Sequence, residues 1–493
     1  MSFASFGKSV CESVSRFPFG ATMVFVALTA LQIDLGNFHR FHTSDSLMHT
    51  IMSTQRWTFF FWDQNRYGAF FALLASPVRD PFWNLLLLYW MVLTCALGSF
   101  FALTRYLIPE GPWWAAGALS LLMFLGLTGD LTAFIFIYQP YATAAFWGLT
   151  GLIILETPGR GWRRGFFATL ALFVSAWICM PMPLMLGLLV LLRHLPDMVG
   201  RRRVAVWEII PAVSLLALNF LIILAISNMW PYRWEYGISP VSLWPESFLK
   251  LSFNLFYYYF AHGKIPLTLL MSGASLFFLL RFRTDQDWRT VLWMCFSCLI
   301  TALAALGLFA FTDWVLKHDF RPDYAASAYF FLQGAISILV ISACFGRVRD
   351  VQKPYITGMG MVLIVGVSLA VYGWPSVRGV DRDLDAFVGP YARQVIDLKA
   401  SHVMGEFTRV WPVAFYANVL RYRQGQREPI HVISAHATTT RDRWSKVPRE
   451  RVRVATFRND PQADHYREGY RLPPLEPVAQ NETFIVLSPV RKQ

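Results

Sequence analysis

The densest chemistry in the chain lies just after its first apolar run, in FHTSDSLMHTIMSTQRWTFFFWDQNRYGAFFALLASPVRDPFW at residues 41–83. Asp45, Asp63 and Asp80 are carboxylates able to take a proton from a hydroxyl. Arg66 and Arg79 stand among aromatics, and guanidinium groups suit phosphate oxygens. Asp45 has two readings. An Asp at a helix start accepts free backbone N–H groups as a cap, and the same carboxylate in a site is a base. Leu47, Met48, Ile51, Met52 and Gln55 follow helical spacing. They predict an amphipathic helix on the membrane surface, opened by Thr43, Ser44 or Asp45. Asp80, before Pro81, reads equally as a cap for the next helix or as a second catalytic carboxylate. Asp34, near the end of the first apolar run, reads first as an interfacial residue reaching water. An ionised carboxylate at a span centre costs roughly 2.5–3.5 kcal/mol, and much less near an end. Asp130, in Thr128-Gly129-Asp130, reads as turn chemistry.

Cations gather in two later polar stretches. MWPYRWEYGISPVSLWPESF offers Arg233 and Glu235, and TDWVLKHDFRPDYAAS offers Lys317, His318, Arg321 and Asp323. Such a group binds a phosphate, or is solvated against lipid headgroups. Trp57, Phe59, Trp62 and Tyr67 either stack on a bound ligand or hold their loop at the interface. The acids Asp381, Asp383 and Asp385 read as a solvated turn before a cation site. His402, His431, His436 and His465 lack zinc-like spacing, and no metal site is expected. Cys295 and Cys298 form a CxxC inside an apolar stretch, where buried small side chains are the expectation. There is no P-loop, dinucleotide fingerprint or serine elbow. A reaction driven by ATP or NAD is not expected, and no cofactor is.

The elements that must position these residues are apolar helices. Of 493 residues, 55% are hydrophobic and 15% charged, with a mean hydropathy of +0.41; soluble domains carry roughly 25% charged residues. The net charge of +13 sits largely in short loops and the tail, where it sets topology rather than binding nucleic acid. Apolar runs long enough to cross a bilayer predict about eleven transmembrane helices. They fall near 17–36, 82–107, 113–128, 131–155, 166–179, 181–193, 204–228, 265–281, 290–312, 325–345 and 355–374. Pro181 and Pro183 turn the stretch between Arg164 and Arg193 into a hairpin of two short helices.

Short basic loops place the N-terminus in the cytoplasm. They put the first loop (37–81), a second loop (229–264), a short loop (313–324) and the tail from Pro375 outside. No cleavable signal peptide is evident. The expectation is an all-α polytopic module over 1–374 and a small α/β extracytoplasmic domain over 375–493. Strand-like runs in that domain are Ile430–Ser434, Val452–Thr456 and Phe484–Leu487.

This layout resembles the GT-C membrane glycosyltransferases that use polyprenyl-phosphate sugars, a group that includes protein O-mannosyltransferases and the lipid A aminoarabinose transferase. Asp45 in SDSLMHTIM stands where that group places its early acidic residue, and TFFFWDQNRYGAFFALLASP resembles its return towards the second span. The resemblance implies metal-independent, inverting transfer of a sugar from a lipid phosphate to a glycan, lipid or protein acceptor. It implies Asp45 as base, with Asp63 and Asp80 as further candidates. Donor phosphate binding falls to Arg321, Lys317, His318, Arg66 and Arg233; Trp57, Trp62, Tyr67 and Glu235 are substrate contacts. The partners implied are a lipid-linked donor, the acceptor and the inner membrane. Two rival readings are a transporter or flippase of lipid-linked sugars and a noncatalytic glycan-assembly subunit. The first calls for repeated halves and mid-membrane charges, and neither is seen. The second would use the basic run Arg441, Arg443, Lys446, Arg449, Arg451 and Arg453, whose default is a solvated face.

Overall fold

The structure, a computed structural model, describes residues 18–62, 67–127, 137–157, 161–199, 203–231, 237–260, 272–277, 280, 288–345, 354–434, 451–469, 472 and 474–490. The chain divides into two compact units. One comprises Met1–Gln32, Val92–Trp230 and Glu235–Gly373; the other comprises Ile33–Met91, Pro231–Trp234 and Trp374–Gln493.

The first unit is helical. It holds most of α1 (Pro18–Asp34), the greater part of α4 (Pro81–Leu107), α5 (Trp113–Leu122), α6 (Pro140–Glu156), α7 (Trp162–Ile178) and α8 (Met182–Val199). It continues with α9 (Arg203–Met229), α10 (Trp244–Phe260), α11 (Trp288–Ala310), α12 (Asp313–Lys317), α13 (Ala326–Phe345) and α14 (Pro354–Tyr372). Among the described residues six helices are long and apolar enough to cross a membrane, and two shorter apolar helices accompany them. The chain is a multi-pass membrane protein. Helices fall in every expected span position as far as the residues are described, with only 272–277 and 280 described of 265–281 and the span at 131–155 described from 137. The proline hairpin is present, with Cys179 and Met182 closing the turn between α7 and α8.

Small residues let these helices approach, as expected where lipid is as apolar as the side chains. A Cβ at Gly151 of α6 would stand 3.0 Å from the Ala168 carbonyl of α7. Ser175 Oγ donates to the Ala144 carbonyl at 2.7 Å, and Ser120 Oγ of α5 to Ser337 Oγ of α13 at 2.7 Å. Each polar group so bonded avoids the cost of standing unpaired in an apolar core.

The second unit joins the first loop to the tail. In it lie α2 (Ser44–Gln55), α3 (Phe70–Ala75), the start of α4, α15 (Val377–Asp397), α16 (Phe407–Arg423) and α17 (Ala463–Gly469). A five-stranded sheet is formed by β1 (His402–Met404), β2 (His431–Ile433), β3 (Val454–Phe457), β4 (Leu475–Gln480) and β5 (Phe484–Pro489). Its order is β2-β1-β3-β5-β4. β1 runs parallel to β2 and β3, and β5 antiparallel to β3 and β4. Met404, Ile433, Val452 and Val454 form its core, with Leu475 and Leu487 packed against them.

Three expectations change. Helix α2 exists, but its Leu47, Met48, Ile51 and Met52 are buried by protein, packed on α16 and α3 rather than laid on lipid. Gln55 Nε2 donates to the Ile430 carbonyl at 3.3 Å, and Ser44 Oγ to the Phe407 carbonyl at 2.8 Å. The second loop contains a helix, α10, of 17 residues. Pro245 at the helix start has the φ that opens a helix. The Asp381–Asp385 run is not a turn: it lies on α15, and each acid is paired. Asp381 meets Arg423 at 3.0 Å, Asp383 meets His39 at 3.0 Å, and Asp385 meets Arg393 at 2.8 Å.

Candidate functional site

In the second unit, chemistry collects where α1 ends. Gly36 N–H bonds back to the Ile33 carbonyl at 3.1 Å, and a 3-10 turn over Asn37–Phe41 follows. His39 pins that turn, its ring nitrogens facing the Gly36 carbonyl at 2.6 Å and Asp383 at 3.0 Å. Asp34 is the last residue of α1. It is 1% exposed, and neither carboxylate oxygen has a hydrogen-bond partner among the described residues. The expected interfacial position reaching water is therefore corrected: the first loop folds over the helix end and covers it. The Tyr89 hydroxyl lies beside Ser46 and within electrostatic range of both Asp34 and Asp45.

The His42 ring stands 4.8 Å from the Tyr89 ring. Burial first, then the charge of His39, pushes the His42 imidazole down to about 3, so it is neutral near neutral pH. Asp45 is exposed in the first turn of α2, whose N-cap is Thr43. The group thus joins two carboxylates, a neutral imidazole, a phenol and a serine. A buried carboxylate with uncommitted lone pairs is stabilised by a proton, or by a hydroxyl or cation brought to it. This is the equipment of proton transfer.

In the first unit a cleft of about 630 Å³ is lined by Lys250, Asn254 and Tyr258 of α10 and by His318, Asp319, Phe320 and Arg321. The turn that carries the last four is tight. Phe320 N–H returns to the Val315 carbonyl at 3.0 Å, which forces Asp319 and Phe320 to φ of 49° and 53°. Left-handed conformations in non-glycine residues are strained and persist where the surroundings hold them. Here Asn254 Nδ2 holds the Phe320 carbonyl at 2.5 Å, and Lys250 Nζ sits 5.1 Å from the Phe320 ring centre. His318 Nδ1 faces the Trp314 carbonyl at 2.8 Å, which makes Nε2 the nitrogen for other partners. Arg321 pairs with buried Asp323 at 2.5 Å while its side chain stays 56% exposed. A cation fixed at one edge and open at the other suits a phosphate oxygen.

The sequence candidates separate. His318 and Arg321 line the cleft. Lys317 does not: it pairs with Asp313 at 2.8 Å, and this bond holds the Asp313 carboxyl below its usual range. Asp80 caps α4, its Oδ1 accepting the Phe82 N–H at 2.8 Å. Trp57 and Trp62 spend their indole N–H groups on the carbonyls of Ala69 and Arg56, at 3.0 and 3.1 Å. Tyr67 closes a small hairpin, its carbonyl taking the Phe61 N–H at 2.7 Å. Asp63, Arg66, Arg233, Glu235 and Asp130 lie outside the described residues, as do Arg441, Arg443, Lys446 and Arg449. Lys250 and Asn254 were missed; their signal is the i, i+4 spacing on a helix hidden by its aromatics. Among the described residues no group of three His, Cys, Asp or Glu lies together as metal ligands would.

No family model matches the sequence, and no curated protein matches it. Solved structures match over most of its length. ArnT from Cupriavidus metallidurans in the apo state is 11% identical over 97% of this chain and 98% of its own, with a TM-score of 0.38. The same protein bound to undecaprenyl phosphate is 11% identical over 96% and 98%, with a TM-score of 0.36. The oligosaccharyltransferase AglB from Archaeoglobus fulgidus, in complex with an inhibitory peptide and a dolichol-phosphate, is 10% identical over 90% of this chain and 70% of its own, with a TM-score of 0.39. Likenesses with TM-scores below 0.5 carry no weight for fold or chemistry, which rest on the residues above.

Proposed function

We propose that the protein is a membrane glycosyltransferase that moves a sugar from a polyprenyl-phosphate donor to a glycan, lipid or protein acceptor. In this reading it crosses the inner membrane about eleven times, with its N-terminus in the cytoplasm and its tail outside. The observation that carries the reading is the cleft of Lys250, His318 and Arg321. His318 and Arg321 flank the strained turn, Lys250 faces it from α10, where it also pairs with Glu246 at 2.8 Å, and such a group answers a phosphate delivered on a lipid. The acceptor oxygen bonds to the anomeric carbon as the bond from that carbon to the phosphate oxygen breaks. The electron pair leaves on the phosphate, where the cations stabilise the growing charge. The acceptor proton passes to a carboxylate, Asp34 or Asp45. Attack opposite the phosphate inverts the anomeric centre, and no metal takes part.

The test uses purified protein in lipid with a polyprenyl-phosphate sugar and an acceptor. Transfer is expected, and Arg321→Gln raises the donor KM about tenfold, as loss of one charged hydrogen bond predicts. Movement of the lipid-linked sugar across the bilayer with no transfer product would replace this reading with that of a flippase. A cysteine at either Asp45 or Arg321 that is labelled only from the cytoplasmic side also ends it.

A further inference from the structure

A second cleft, of about 300 Å³, lies wholly within the second unit, between the turn after α1 and the start of α15. We propose that it binds the phosphate of an anionic phospholipid headgroup.

Its depth follows from the chain. The cleft begins at Leu35, one residue after apolar α1 ends, and resumes at Trp374, two residues after apolar α14 ends. Two residues span at most about 7 Å. Both strands of the chain therefore enter the cleft directly from apolar helices, at the level of lipid headgroups. Ser376 N–H donates to the Leu35 carbonyl at 2.7 Å and holds the two exits together. Trp374 is 80% exposed, as an indole is where a membrane meets water.

Its charge is one-sided. Arg40, Arg378 and Arg382 line it against the single carboxylate of Asp383. That carboxylate is already committed: it faces His39 at 3.0 Å, Arg40 at 3.3 Å and Arg382 at 3.3 Å. The His39 bond, first of its causes, holds the Asp383 carboxyl below its usual range. Asp383 thus aligns Arg40 and Arg382 and neutralises one of three guanidinium charges, which leaves the cleft positive. Arg378 makes no hydrogen bond or ion pair among the described residues. The N-terminal end of α15, a helix of 21 residues capped by Ser376, adds a positive dipole to the same side. Guanidinium groups at headgroup depth meet phosphate oxygens, and clustered basic residues there attract anionic lipid. The proposal requires only that α1 and α14 meet a membrane, and stands whether or not the transferase reading does.

Full-length protein in neutral detergent is titrated with short-chain phosphatidylglycerol, short-chain phosphatidylcholine or inorganic phosphate, with bound ligand counted by native mass spectrometry. Phosphatidylglycerol should bind best, and salt should weaken it. The double variant Arg378→Gln/Arg382→Gln should bind it about 30-fold more weakly, near fivefold for each basic side chain. Its melting temperature without lipid should match wild type, because both side chains are exposed. Arg378→Lys should retain most of the affinity. Equal phosphatidylglycerol binding by wild type and double variant, or binding indifferent to salt, overturns the proposal. Inorganic phosphate that binds as tightly as the lipid would reassign the cleft to a soluble phosphate compound and overturn the lipid headgroup.

Discussion

Two buried aspartates, one in each unit, have opposite surroundings. Asp323 is 6% exposed and holds Arg321 at 2.5 Å and Gln139 Nε2 at 3.3 Å. Asp34 is 1% exposed, and no described group donates to it. Burial alone therefore separates nothing. Asp323 is spent on structure: it fixes the guanidinium that the cleft presents. Asp34 is a carboxylate that folding has covered and left uncommitted, at a desolvation cost that no partner offsets. Such a cost is retained where function needs the group.

The sharpest way to break this contrast is to neutralise each acid in turn. Asp34→Asn should lower sugar transfer by about 10²–10⁴-fold, the range for loss of a general base. Its melting temperature should hold, since the buried carboxyl has no described partner to lose. Asp45→Asn should act less, its carboxylate being exposed. Full activity in Asp34→Asn would return the role of base to Asp45 and dissolve the contrast. Asp323→Ala should do the reverse and destabilise the protein by up to about 1 kcal/mol, because Gln139 loses its acceptor and the half-exposed Arg321 its partner. A thermal melt unmoved by that change shows that Arg321 does not depend on Asp323.

The smallest effect is one of acidity. Burial pushes His49 of α2 down to about 4, and His42 to about 3. Unfolded, both rings take a proton below about 6.5. The unfolded chain therefore binds more protons between these values, and stability rises with pH. The contribution is full above about 6.5 and is lost as pH falls towards 4 and then 3, by up to about 1.4 kcal/mol per pH unit for each ring. His49→Gln should flatten the acid limb of a stability–pH curve by one such share. An unchanged slope would mean that His49 titrates alike folded and unfolded.

Hydropathy located most of the helices, because the period and length of an apolar run carry their own structural information. The proline hairpin was legible for the same local reason. So were three strands of the tail, at 431–433, 454–457 and 484–489, where β-branched and aromatic residues cluster. β1 was missed because His402–Met404 has only three residues. β4 was missed because Pro477 interrupts it and its residues are mostly exposed, so no alternation of apolar and polar side chains marks it. The candidate site was half legible. His318 and Arg321 stand close in sequence, so their type and spacing announced them. The covering of Asp34 did not show, because hydropathy marks where an apolar run ends and not how the next loop folds back, and the partner that pins that loop lies hundreds of positions away. His39 meets Asp383 across 344 residues.

That separation has a consequence for how the protein is made. A ribosome adding about 5–20 residues per second needs roughly 20–70 s to travel from His39 to Asp383. For that time Leu47, Met48, Ile51 and Met52 have no α16 to rest on. They are greasy side chains newly delivered to a membrane surface, where lipid can hold them provisionally. The members of the acid–base group are all made early, and only the Asp383 bond that pins His39 comes late. A chain halted before the tail emerges would hold its spans while His39 still lacked Asp383 and α2 still lacked α16.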